Sequence, residues 1–234
     1  MHTNLVQKQT GVTMDVQEIK STDDILFILC KSIQRVLQKA TAQKITFFPL
    51  AQTINKTTLR PDIGCFTVFE SEVSGIVLTN FSAEAALDIY RSYMMNMKMP
   101  EDELSRNHTS DDVGNVLGAL VDQGMGHFQN DLREELYASV RFTPPKMMVV
   151  NQDITISVGN LPQAPDYRRV SFETESHRPF FLELGVEKTA FSTFYSHEKE
   201  ESGHEPVREK TQDVDDIFLE AQKAKARQDH KDES

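Results

Sequence analysis

The chain of 234 residues contains no tryptophan and only two cysteines, and none of its apolar runs approaches membrane-spanning length. A spanning helix needs about 20 consecutive apolar residues, so we expect a soluble protein. The cysteines, Cys30 and Cys65, both lie in apolar segments, which is typical of free thiols in a reducing compartment. The start Met1–Asn4 also lacks the charged and apolar pattern of a secretory signal. The sequence therefore predicts a cytoplasmic protein.

The chain also has fewer positively charged residues than negatively charged ones. There are 25 lysines and arginines against 36 aspartates and glutamates, which gives a net charge of -11. This charge repels a phosphate backbone and an anionic lipid surface, so we expect neither nucleic acid nor membrane as a partner. The negative charge is compatible with a partner protein that presents a basic patch, although an acidic surface can also serve solubility alone.

Composition divides the chain into three parts. Residues 1–20 are polar and unpatterned and are interpreted as a flexible arm, residues 21–195 as one domain, and residues 196–234 as a charged tail. Within the tail, residues 213–226 carry apolar side chains at helical spacing, including Ile217 and Phe218. This segment is either a docking helix for a partner or for the body of the protein, or a partly helical solubilising tail.

The hydrophobic pattern changes period along the proposed domain. Helical spacing predicts helices over residues 21–40, 83–97 and 110–132, and alternating β-branched and aromatic residues predict strands. The expected strands are residues 44–48, 63–69, 75–81, 138–142, 146–150, 154–157, 169–174 and 180–184. Short connections between consecutive strands indicate a largely antiparallel sheet with packed helices, an α+β fold.

The third helix carries the one constellation that suggests chemistry. Asp112 and Asn115 are three residues apart and so project from the same side of the helix, near its start. That side is polar and includes Ala119 and Asp122, whereas the opposite side is apolar. Gly114 and Gly118 lie between the two sides, where small residues favour close approach by a neighbouring helix or by another protein.

The acid and amide also have a purely structural interpretation. Thr109 or Ser110 can cap the helix, and Asp111 and Asp112 suit the positive end of the helix dipole. The segment from Thr109 to Asp112 has the spacing of a capping box with aspartate in place of glutamate. Asn115 would then be an ordinary solvated residue.

The segment Asp112–Ala119, an acid, two residues, an amide and a glycine-containing apolar stretch, resembles the signature helix of the CheC, CheX and FliY chemotaxis phosphatases. Their motif is Glu-x-x-Asn. Phe81–Leu87, the methionine-rich helix end that follows it and Phe142–Pro145 are similar to the CheX arrangement, and the resemblance covers about residues 20–190. The first helix has no second motif, since Asp24–Phe27 lacks the amide, so the chain looks more like CheX than CheC.

The resemblance implies an α/β sandwich with a largely antiparallel sheet that acts on phosphorylated response regulators. Asn115 would orient the attacking water, and Asp112 would pair with a lysine of the receiver. Asp111, Ala119 and Asp122 are further partner-binding candidates, as are Ile217 and Phe218 in the tail. The protein would need no cofactor of its own, because a phosphorylated CheY-like receiver brings its own Mg²⁺, and a homodimer is possible.

Asp112 replaces the glutamate of the family motif and is shorter by one methylene. Two hypotheses therefore stay open, a phosphatase and an interaction module of the same fold without turnover. Other enzyme classes find little support, because the seven histidines are scattered and neither a phosphate loop nor a Gly-x-Ser-x-Gly motif occurs.

Overall fold

The computed structural model describes residues 21–70, 74–136, 139–156 and 165–186. The helices in these ranges are α1 (Thr22–Thr41), α2 (Ala83–Asn96) and α3 (Asp111–Leu136), with a short 3-10 turn at Glu101–Glu103. The strands are β1 (Thr46–Phe47), β2 (Gln52–Ile54), β3 (Thr57–Leu59), β4 (Ile63–Glu70), β5 (Gly75–Phe81), β6 (Arg141–Phe142), β7 (Lys146–Val149), β8 (Ile154–Ile156), β9 (Asp166–Glu173) and β10 (Pro179–Val186).

Helix α1 begins directly after Ser21, at the start of the predicted range. The Ser21 side chain accepts a hydrogen bond from the Asp24 backbone amide, and the Asp24 carboxylate accepts one in return from the Ser21 amide. This reciprocal capping box satisfies two backbone donors at the helix start. The apolar positions of α1 then form a continuous buried stripe, including Leu26, Leu29 and Ile33.

One large antiparallel sheet forms the centre of the fold. Its order is β1, β9, β10, β5, β4, β6, with β2 beside β1 on β9 and β7 beside β6 on β4. The longest ladders join β10 to β5 and β9, and β4 to β5, all in antiparallel register. The sequence prediction of an α+β fold with a largely antiparallel sheet is therefore confirmed.

The three helices cover one face of this sheet. Alternate residues of each long strand point toward them, because side chains in a strand alternate between faces. The main core is built from these residues and the apolar helix faces, and its sheet side includes Ile63, Phe69, Phe81, Phe172, Phe180 and Leu182. Phe172 and Phe180 stack at the centre with ring centroids 4.9 Å apart.

The opposite face is covered by β3 and β8, which pair with each other. Leu59, Ile76, Leu78 and Val150 form a smaller second core there. Strands β2 and β3 were not expected from the sequence, since they are short and rich in polar residues. The predicted strands are all present, most of them with shifted ends, and α3 continues four residues beyond the expected Leu132.

Two buried polar side chains hold β3 to the large sheet. Asn80 on β5 donates to the Thr58 carbonyl at 3.0 Å and accepts from the Arg60 amide at 2.8 Å. Glu183 on β10, which is 0% exposed, accepts from the Thr58 amide at 2.9 Å and from two nitrogens of Arg169. Strand β3 does not belong to the large sheet, so these side chains supply the hydrogen-bond partners that a neighbouring strand would otherwise give to the backbone of Thr58 and Arg60.

The predicted arm of residues 1–20 and the tail of residues 196–234, with its segment 213–226, lie outside the described residues. Their assignments stay predictions.

Replacing Arg169 by methionine should strongly destabilise the fold. The Glu183 carboxylate would lose its only nearby cation among the described residues, and an unpaired buried charge costs about 3–5 kcal/mol. The measurement is the free energy of unfolding in urea. Combining Arg169→Met with Glu183→Gln should recover part of the loss, because a neutral amide still accepts from Thr58. An Arg169→Met variant as stable as the wild type would contradict this account.

Candidate functional site

Helix α3 starts at a hydroxyl that the preceding loop holds in place. The Ser110 side chain accepts from the Val113 amide at 3.4 Å, and its carbonyl accepts from the Gly114 amide at 3.1 Å. Ser105 donates to the Ser110 hydroxyl at 2.8 Å, and its own amide donates to the Tyr90 hydroxyl. Ser110 is therefore the N-cap, so the capping-box register from Thr109 to Asp112 does not form.

Asp112 and Asn115 lie on the exposed side of the first two turns of α3. Within the part of the chain that the structure describes, neither side chain makes a hydrogen bond or an ion pair with another residue. Because Ser110 caps the helix, the Asp112 carboxylate is not needed for that role. An uncharged amide and a carboxylate are thus presented together to solvent.

The opposite side of α3 is fixed firmly in the core. Val113, Leu117, Leu120, Val121 and Phe128 are buried, as the helical projection predicted. On the α1 side, Asp131 accepts from the Ser32 hydroxyl at 2.6 Å and lies 3.5 Å from the Arg35 guanidinium. The helix is therefore anchored over most of its length while its polar side stays accessible.

Three of the four glycines in α3 have different surroundings. A Cβ added at Gly124 would lie 2.4 Å from Ile33 Cδ1, so Gly124 allows α1 and α3 to pack closely. A Cβ at Gly118 would lie 3.1 Å from Met147 Cγ on β7. A Cβ added at Gly114 would have no atom within 4 Å apart from the adjoining backbone of its own helix. The close internal approach expected at Gly114 and Gly118 is thus present only at Gly118.

Asp122 lies two turns beyond Asn115 on the exposed side and close to β4. Partial loss of water around its carboxylate raises the pKa of Asp122. Its charge in turn adds to the effect of burial on Cys65 of β4, whose thiol pKa is raised to about 12. Cys65 is therefore an unreactive core thiol, and Asp122 marks where α3 passes over β4.

The neighbours of α3 fix its direction across the sheet. Phe128 packs against Phe142, which packs against Phe69 near the end of β4. Asp122 and Gly118 lie over Cys65 and Met147, which are register partners nearer the start of β4. The first turns of α3 therefore lie at the end of the sheet where β4 begins and β7 ends. The sequence predicted β7 but not its place beneath α3 at Gly118.

The remaining predicted site residues have different outcomes. Asp111 is exposed and Ala119 half-buried, and both belong to the same helix as Asn115. Ile217 and Phe218 lie outside the described residues. Across residues 21–70, 74–136, 139–156 and 165–186, no three histidine, cysteine or acidic side chains are grouped as a metal ion would require. None of the helices in those ranges combines the length and apolar character needed to cross a membrane.

Comparison with known proteins supplies a family and a fold. The family described as a protein of unknown function, DUF3334, matches residues 16–234. No curated protein sequence matches the chain.

Several solved structures share the fold of this chain. A CheC-like protein from Shewanella sp. PV-4 is 13% identical over 72% of this chain and 99% of its own, with a TM-score of 0.58. CheX from Vibrio vulnificus is 14% identical over 70% and 99%, with a TM-score of 0.57. CheX in a complex with CheY, BeF3 and Mg²⁺ from Borrelia burgdorferi is 14% identical over 70% and 99%, with a TM-score of 0.51. The CheX-like fold expected from the resemblance is confirmed.

Alanine at two glycines of α3 should change stability in opposite directions. Gly114→Ala should stabilise the protein by up to about 1 kcal/mol, because the space is open and alanine favours a helix. Gly124→Ala should destabilise it by about 1–3 kcal/mol, because the new methyl group overlaps the buried Ile33. The midpoints of thermal or urea unfolding measure both effects. Shifts of the same sign would show that the packing of α3 differs from this description.

Proposed function

We infer that this chain, which belongs to the DUF3334 family of proteins of unknown function, binds phosphorylated CheY-like receiver domains and promotes hydrolysis of their aspartyl phosphate. The chain would do so with the exposed side of α3, placing Asn115 and Asp112 in the receiver's active site. The process served is bacterial chemotaxis or related two-component signalling.

The accessibility of the acid and amide is the observation that carries the proposal. Both residues are exposed on a helix whose other side is buried, so the pair can enter a partner's site without disturbing the core. The fold is that of CheX proteins, one of which has been crystallised with CheY, BeF3 and Mg²⁺. The net charge of -11 suits a partner that presents a lysine beside its phosphoryl group.

The chemistry requires a positioned water and not a strong base on this chain. An aspartyl phosphate is an acyl phosphate, and its hydrolysis needs a water in line with the departing carboxylate. The Asn115 amide can both donate and accept hydrogen bonds but does not titrate near neutral pH. It would therefore hold the water in position, while the receiver's own Mg²⁺ and lysine stabilise the charge of the transferring group.

Asp112 would act by alignment, pairing with the receiver's lysine so that Asn115 reaches the water. An aspartate reaches about one methylene less far than the glutamate of the Glu-x-x-Asn motif. Because a displacement of about 1 Å can lower a rate by about 100-fold, this difference favours a second candidate, a receiver-binding module with slow or no turnover. The two candidates share the docking face and differ in catalytic rate.

Replacing Asn115 by alanine should abolish the acceleration of receiver dephosphorylation, a loss of about 100-fold or more for a water-positioning group. The measurement is phosphate release from phosphorylated receiver domains of the host. Asn130→Ala is the matched control, because Asn130 is exposed on the same helix but lies four turns further along. An Asn115→Ala variant with the wild-type rate would show that the catalytic assignment is wrong.

Replacing Asp112 by glutamate should raise the rate of dephosphorylation, by up to about 100-fold if reach limits it. Helix stability should change little, since both acids suit the first turn. The same phosphate-release assay measures the rate, and affinity for the receiver is measured separately. Receiver binding without turnover in both the wild type and this variant would identify the interaction module.

A further inference from the structure

The outer strand β7 exposes apolar side chains at the end of the sheet where α3 begins. Val149 is 46% exposed and Met148 38% exposed. Among the described residues β7 pairs only with β4, so its other edge carries backbone groups without strand partners. Exposed apolar residues on an unpaired edge favour association with another protein.

Val149 points to the same face of the sheet as α3. Met147 lies under Gly118, and side chains two residues apart in a strand share a face. Val149 pairs with Ile63 at the start of β4, the end over which the first turns of α3 lie. Val149 and Asn115 are therefore displaced from the Met147–Gly118 contact in the same direction.

The space beside α3 is filled by β7 at Gly118 and open one helical turn earlier, at Gly114. Met147 fills the space below Gly118, whereas one turn earlier nothing lies within 4 Å of a Cβ added at Gly114. Valine is two atoms shorter than methionine, so Val149 does not close the space that Met147 closes below. Gly114 is one turn before Gly118, and Val149 is the next residue beyond Met147 on that face of β7, so the open space at Gly114 is on the Val149 side of the Gly118–Met147 contact. We call this space the α3–β7 notch. Asn115 is the residue that follows Gly114 on α3.

The exposed side of α3 is too small to form a protein interface alone, so we expect the docking face to continue toward Val149. The segment from Asp111 to Asp122 is about 18 Å long and presents one side of a helix about 10 Å wide. A stable interface covers about 800 Å² on each partner, several times what this strip supplies. The strip itself is polar and acidic, and interfaces are anchored by buried apolar side chains. Val149 and the notch supply an apolar surface directly beside it.

We propose that the α3–β7 notch receives an apolar side chain of the receiver domain whose phosphoryl group faces Asn115. The inference rests on the proposed function and adds a specificity element to it. The acidic strip selects a partner with a lysine at its active site, and the notch selects one that also presents an apolar side chain a few ångströms away.

Filling the notch from within tests the proposal. In Val149→Met the longer side chain can cover Gly114 as Met147 covers Gly118. Affinity is measured by titration with host CheY-like receiver domains loaded with BeF3 and Mg²⁺, so the readout does not depend on turnover. We expect the dissociation constant to rise about tenfold, as for loss of an apolar anchor. The midpoint of thermal unfolding should not fall.

Ile154→Met on β8 is the matched control, since Ile154 is 37% exposed in a strand on the other face of the sheet. It should leave the dissociation constant unchanged, whereas Gly114→Ala, which narrows the notch from the helix side, should raise it. Wild-type affinity in Val149→Met, or equal loss in Ile154→Met, would overturn the proposal, as would a change of oligomeric state in Val149→Met alone. If the wild-type chain bound no receiver loaded with BeF3 and Mg²⁺, the proposed function itself would be wrong, and the role proposed for the notch would be wrong with it.

Discussion

The candidate site depends on the close packing of α1 against α3. Gly124 lets the two helices approach until Ile33 occupies the space that any larger side chain would need. This contact and the buried apolar stripe fix the rotation of α3 about its axis, because a turned helix would expose the stripe and bury Asp112 and Asn115. Burial of the unpaired Asp112 carboxylate would be strongly unfavourable. The outward direction of the acid and amide therefore follows from packing on the other side of the helix.

The second face of the sheet is specified by polar groups more than by apolar ones. The core below β3 is small, and Asn80 and Glu183 supply the hydrogen bonds that place β3 over the sheet. Glu183 is held by Arg169, which also lies over the Phe181 ring at 5.9 Å. Such groups add little net stability compared with apolar packing, but they penalise every register that leaves them unpaired. This explains how short strands of polar composition occupy a defined place.

Much of the fold could be predicted from the sequence because long elements carry strong periodic signals. The capping box at Ser21 and the apolar stripes of the three helices give their starts and buried faces directly. Strands β2 and β3 could not be predicted, because their partners are Arg168 and Ile156 and their neighbours, far away in the sequence. The pair Asp112 and Asn115 could be identified because both residues lie in one helix, whereas the place of β7 beneath that helix depends on strand order and could not be predicted.

Local structure accounts for Asp112 and Asn115 to different extents. An acid in the first turn of a helix contributes about 0.3–1 kcal/mol through the helix dipole, so Asp112 has a structural role beside any functional one. Asn115 is a poorer helix former than alanine and makes no hydrogen bond or ion pair with another described residue that would offset this cost. Ser110 already caps the helix, and the core needs nothing at position 115. The fold alone therefore does not explain the amide, in agreement with the water-positioning role proposed for Asn115.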